Sequence, residues 1–133
     1  MENKMRVITA KIGPDDHIRG INAVSQALRD AGMEVIFLGT GQRVDGVLAA
    51  AVEEDVDVIG LGFHYGGQLE TTRRLMAGLR ERGLGHVSVI VGGVIPPHLV
   101  DKLREEGVAA VYPPGSRLED IVEFVRSTIA ARR

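Results

Sequence analysis

Five short runs rich in β-branched residues alternate with stretches whose apolar residues recur at helical spacing. This alternation constrains the fold more tightly than any other feature of the sequence. The runs are RVITA (6–10), EVIFLG (34–39), VDVIGLG (56–62), VSVIVGG (87–93) and AAVY (109–112). An amphipathic face of period 3.6 follows each one: Ile21, Val24 and Leu28; Val44, Val47, Leu48, Ala51 and Val52; Leu75, Met76 and Leu79; Leu99, Val100 and Leu103; Ile121, Val122, Val125 and Ile129. Gly32, Gly83 and Gly107 stand just past three of these helices, where a left-handed residue closes the last turn. Ser116 with Glu119 has the spacing of a capping box for the last helix.

Strands that are apolar on both faces and separated by helices belong to a parallel sheet covered on both sides. The sequence therefore predicts an α/β fold: a flavodoxin-like (Rossmann-like), doubly wound, five-stranded parallel sheet of order 2-1-3-4-5, with helices on both faces. A length of 133 residues and an apolar fraction of 44% suit one such domain over residues 1–133. In that strand order a ligand crevice opens beyond the C-terminal ends of the first and third strands. The loops that would form it are KIGPDDHIRG (11–20) and GFHYGGQ (62–68).

Composition narrows the chemistry. There is no cysteine, which removes disulfides, thiolate catalysis and cysteine metal sites and leaves histidine as the strongest metal ligand. Sixteen basic and 18 acidic residues are interspersed, giving a net charge of −2, so no charge block predicts a nucleic-acid or anionic-membrane partner. Three Phe, two Tyr and no Trp are too few for base-stacking platforms. The apolar run 7–10 before Lys11 is too short for a signal-peptide core or a membrane span, and a cytoplasmic protein is expected.

The loop after the first strand has two readings. In the plainer one, Pro14-Asp15-Asp16 makes a turn, an acid caps the helix starting near Ile18, and His17 is merely exposed. That leaves Lys11, His17 and Gly20 unexplained. In the other, Asp15 holds one nitrogen of His17 so that the opposite nitrogen can ligate a metal, and Lys11 keeps the carboxylate ionised. A single histidine makes no protein-only cage, so the metal would arrive with most of its coordination sphere filled, as in a macrocycle. Gly20 would admit a large ligand close to the backbone.

Asp15, His17 and Gly20 spell the D-x-H-x-x-G signature of cobalamin-binding domains. AKIGPDDHIRG, with Lys11, resembles the version in adenosylcobalamin-dependent acyl-CoA mutases of the methylmalonyl-CoA mutase type. The resemblance continues through ALRDAGMEVIFLG, AAVEEDVDVIGL, VIVGGVIPP and GVAAVYPPGS, and so covers nearly the whole chain. It implies that His17 is the lower axial ligand of cobalt, replacing the dimethylbenzimidazole of cobalamin in the base-off, His-on mode, with Asp15 and Lys11 completing a relay. It also implies that Gly20 flanks the displaced nucleotide tail and that Gly92 and Gly93 line its pocket. The plainer account of Gly92-Gly93 is a strand-ending turn. The function implied is that of a cobalamin-binding small subunit, inactive alone, which holds adenosylcobalamin for a large catalytic acyl-CoA mutase subunit, as a homodimer or within a heterotetramer.

The sequence departs from this family at several positions. An S-x-L motif usually follows the third strand, its serine bonding the base of the tail; here Gly62-Phe63-His64 stands in its place. A buried base nitrogen left without its donor costs about 1–3 kcal/mol. Three roles stay open for His64, and likewise for Tyr65: a donor to the tail, a polar group at a subunit interface, or drift. His17 and His64 together are also candidates for a simple divalent metal. Asp16 replaces a usual glycine and Ile18 a usual acid. The alternative function is a degenerate paralogue with a binding or regulatory role and weak or altered cobalamin binding. A corrinoid methyl carrier would usually have a helical cap before the first strand, and a phosphoacceptor receiver would need an aspartate where Gly62 and Phe63 end the third.

Overall fold

A computed structural model describes residues 4–15, 17–64 and 66–132, with side chains as far as residue 130; Asp16 and Tyr65 lie outside the described residues. The strands are β1 (Arg6–Ile12), β2 (Glu34–Gln42), β3 (Val58–Phe63), β4 (Ser88–Gly93) and β5 (Ala110–Tyr112). The helices are α1 (Arg19–Asp30), α2 (Val44–Glu54), α3 (Gln68–Glu81), α4 (Pro97–Glu105) and α5 (Leu118–Arg132). All pairings are parallel and the order is β2-β1-β3-β4-β5, as the alternation of runs predicts.

Side-chain alternation along the strands separates two apolar cores. Ile8, Ile59, Leu61, Val89 and Val91 face α2, α3 and α4, packing against Val47, Leu48, Leu75, Leu79 and Leu103. Val7, Val58 and Ile90 face α1 and α5, packing against Leu28, Ile121, Val125 and Ile129. Strands covered on both sides lose almost all contact with water, which is why they read as continuous apolar runs. Three helices close as their glycines require: Gly32, Gly83 and Gly107 have φ of 92°, 72° and 102°. The amide after each glycine donates back to Leu28, Leu79 and Leu103, the pattern of a Schellman closure.

Some local expectations are corrected. Val52 is 54% exposed rather than part of the buried face of α2. The capping box does not form: the Ser116 hydroxyl donates to the Pro113 carbonyl, and the Arg117 carbonyl accepts the first helical bonds from Asp120 and Ile121. Among the described residues no acid caps α1, whose N-cap is Ile18 with no side-chain hydrogen bond. Two strands outrun their apolar signals. β1 continues through Lys11 and Ile12, and β2 continues past Gly39 to Gln42. The β2 extension passes two register shifts against β1, with Gly39 and Gly41 at positive φ. These glycines bulge the strand where the pattern alone suggests that it ends.

Candidate functional site

The candidate loop starts inside the sheet. Because β1 runs on to Ile12, Lys11 falls on the same face as Val7 and Thr9, and its side chain is only 4% exposed. Its ammonium meets Asp15 Oδ2 at 2.9 Å. The other carboxylate oxygen, Oδ1, accepts the His17 backbone N–H and pairs with His17 Nδ1, both at 2.9 Å. A carboxylate acceptor at Nδ1 places the proton on that nitrogen and the lone pair on Nε2.

Asp15 is itself 10% exposed. Burial alone would raise its pKa, but the Lys11 hydrogen bond, two donors from His17 and the Lys11 charge outweigh it and hold the carboxyl well below the usual range. The result is a permanently ionised acceptor between a buried cation and a half-exposed imidazole. Sequence reasoning brought Lys11, Asp15 and His17 together, and the structure places them so.

Next to the relay the sheet lacks side chains. On the α1 and α5 face of β3 and β4, Gly60, Gly62 and Gly92 take the places above Val58 and Ile90. Gly62 and Gly92 are register partners, so adjacent positions are both bare. The gap opens into a cavity of about 790 Å³ between the sheet, α1 and α5. That is within the size range of small-molecule and cofactor sites, roughly 300–1,000 Å³. Lys11, His17, Gly20, Gly62, His64, Gly92 and Gly93 all line it, and Asp15 stands behind His17. A Cβ built on Gly20 would meet nothing within 4 Å.

Gly93 answers to the backbone. Its φ is 104°, and a Cβ there would lie 2.0 Å from the Phe63 carbonyl oxygen, which accepts Val94 N–H at 2.9 Å. The plainer account of a strand-ending turn therefore holds for Gly93, while Gly92 contributes open space.

The cavity extends further than the crevice between the first and third strands. Its far wall is Tyr112 of β5, the 113–116 turn, and Leu118 and Ile121 of α5. Tyr112 packs edge-on against Phe124, and burial together with Asp120 raises its hydroxyl pKa above the usual phenol value. Sequence reasoning missed this wall and missed Gly60. The signal for Gly60 was present as G-x-G in IGLGF, a period-two gap on one face of a strand.

His64, which follows β3, comes beside His17 as the two crevice loops allow, but in a stacked arrangement. Its ring stacks on that of His17 with centroids 3.6 Å apart and planes 9° from parallel. Parallel rings direct their in-plane lone pairs side by side, whereas a shared ion at about 2.0 Å from each nitrogen needs them to converge. Among the described residues, no group of three or more His, Asp or Glu could hold a metal ion. No helix among them is long and apolar enough to cross a membrane.

The model of the B12 binding domain matches residues 5–123. The chain belongs to this family. Within it, the chain is 46% identical over 121 residues to the pivalyl-CoA mutase small subunit of Xanthobacter autotrophicus, covering 91% of this chain and 81% of that one. It is 40% identical over 131 residues to the 2-hydroxyisobutanoyl-CoA mutase small subunit of Aquincola tertiaricarbonis, covering 98% and 96%. Its fold is that of a cobalamin-binding protein from Desulfitobacterium hafniense, with a TM-score of 0.81 at 21% identity over 94% of this chain and 59% of the other.

Proposed function

We propose that this chain, as one domain over residues 1–133, is the small subunit of a carbon-skeleton acyl-CoA mutase. It holds adenosylcobalamin base-off, with His17 as the lower axial ligand of cobalt, for a separate large catalytic subunit in the cytoplasm. The observation that carries the reading is the Lys11–Asp15–His17 relay at the mouth of a cavity floored by glycine. The two small-subunit relatives, similar over nearly the full chain, support the division into subunits.

The residues fit the cofactor. A nucleotide tail is flat and bulky, and the bare strip at Gly60, Gly62 and Gly92 leaves a slot where side chains would otherwise block it. An imidazole whose Nδ1–H is held by a carboxylate presents Nε2 as its ligating nitrogen in a fixed tautomer, and the buried Lys11 keeps that carboxylate charged. Bound adenosylcobalamin supplies a radical by homolysis of its cobalt–carbon bond. The chain's own work is to bind, orient and tune: Asp15 sets the tautomer of His17, Lys11 sets the charge of Asp15, and the glycines leave room.

The test is a titration of the chain with adenosylcobalamin followed by visible absorption, alongside His17→Ala. A base-off, His-on spectrum that is lost in His17→Ala supports the reading. Binding with an unchanged spectrum in His17→Ala removes His17 as ligand, and no binding by the wild-type chain at saturating cofactor favours the degenerate paralogue.

A further inference from the structure

We propose that His64 is a positioning residue for His17. Its ring, stacked on the His17 imidazole, fixes the plane in which His17 presents Nε2 to the metal of a corrinoid; this rests on the reading above.

The Asp15 carboxylate anchors the His17 ring through Nδ1 and its main chain through the backbone N–H. A single hydrogen bond at Nδ1 does not by itself fix the tilt of the ring about the Nδ1···Oδ1 line, and the His17 side chain is 45% exposed. Contact on the ring face adds a restraint on that tilt. His64 provides such a contact, with ring centroids 3.6 Å apart and planes 9° from parallel.

The placement of His64 follows from the strand before it. Phe63 is 7% exposed and belongs to the core on the α2, α3 and α4 side. Its carbonyl is tied to Val94 N–H, beside a Gly93 that accepts no Cβ. Pinning Phe63 inward sends the next side chain to the opposite face, which is the face of His17. The leucine usual here in the family resembled has no flat surface to lay against an imidazole.

An aromatic pair contributes about 0.5–1.5 kcal/mol beyond buried area. Losing it should weaken His-on cobalamin binding by about three- to tenfold. The experiment uses the full chain with His64→Ala and His64→Phe; position 64 is exposed, so both should keep the wild-type circular dichroism. Without cofactor, the carbon-bound ring protons of His17 are followed by NMR, because a stacked ring shifts them upfield. With adenosylcobalamin, affinity and the His-on spectrum are followed by absorption.

The expected result is that His64→Ala moves the His17 signals downfield and weakens binding by that factor, while His64→Phe retains both. Unchanged His17 signals in His64→Ala, or unchanged affinity despite moved signals, overturn the proposal. A His64→Phe variant as weak as His64→Ala also overturns it, since the imidazole would then act by hydrogen bonding. A wild-type chain that gives no His-on spectrum overturns the function above and this inference together, a result distinct from failure of the variants alone.

Discussion

The pairing of Lys11 with Asp15 can be weighed by a double-mutant cycle. Both side chains are at least nine-tenths buried, with one ammonium–carboxylate contact of 2.9 Å. Taking two charges out of water is costly, and their attraction repays it only while both are present. Asp15→Asn keeps shape and an acceptor for His17 but leaves a buried ammonium facing a neutral amide, and about 3 kcal/mol of stability should go. Lys11→Met leaves the carboxylate with both His17 donors, so the loss should be smaller, about 2 kcal/mol. The double variant has no buried charge left to compensate and should lose only about 1 kcal/mol, far less than the two single losses combined. Urea unfolding followed by circular dichroism at pH 7 measures all three. Losses that add to within about 0.5 kcal/mol would refute the reasoning, because the two charges would then not be sensing each other.

Acid should expose the same carboxylate. Its pKa is depressed in the fold, so the unfolded chain takes up the proton first. The stabilisation is thus complete above about pH 4 to 5 and is lost as pH falls towards the folded value. Unfolding free energies from pH 6 down to pH 2 should fall less steeply in the Lys11→Met/Asp15→Asn double variant than in the wild type. Gly62→Ser should fold normally, since a Cβ there meets Ile21 and Lys11 at 3.4 and 3.6 Å; by restoring a hydroxyl to the cavity it should tighten cobalamin binding about fivefold, read by absorption titration. Gly93→Ala should cost more than about 3 kcal/mol or prevent folding, because its Cβ would collide with the Phe63 carbonyl in a backbone conformation only glycine adopts readily; an unchanged urea midpoint would contradict this.

The sheet order was legible because burial on both faces leaves a one-dimensional trace: apolar runs, helical stripes and glycines at the helix ends. What was not legible depends on contacts across the fold. Gly39 and Gly41 look like the end of β2, yet pairing with β1 carries the strand past them as bulges. Ser116 has the right spacing for a cap, but its hydroxyl is taken by the Pro113 carbonyl. Val52 fits the helical stripe of α2 but falls at its edge, where the sheet no longer covers it. Of the site, Lys11, Asp15 and His17 could be read because they are neighbours in the chain and their chemistry makes sense only together. The stack of His64 on His17 could not, since it joins two loops 47 positions apart through a plane-to-plane contact that no spacing encodes.

Gly62 and His64 are two residues apart at the end of β3 and so share one face, that of α1 and the cavity. Relative to the motif usual in the family resembled, one position gives up a hydroxyl from the proposed tail slot while the other adds a ring against the axial histidine. Under the proposed function, these changes move restraint from the tail of the ligand to the end where the metal is held. A hydroxyl in the slot acts on the tail, whereas the His17 ring is held at Nδ1 by Asp15 and on its face by His64. Gly62→Ser should therefore change affinity while leaving the cofactor-free His17 ring signals in place, whereas His64→Ala should change both. If Gly62→Ser moved those signals as far as His64→Ala does, the two positions would be acting through one shared backbone shift, and the division between tail and axial end would fail.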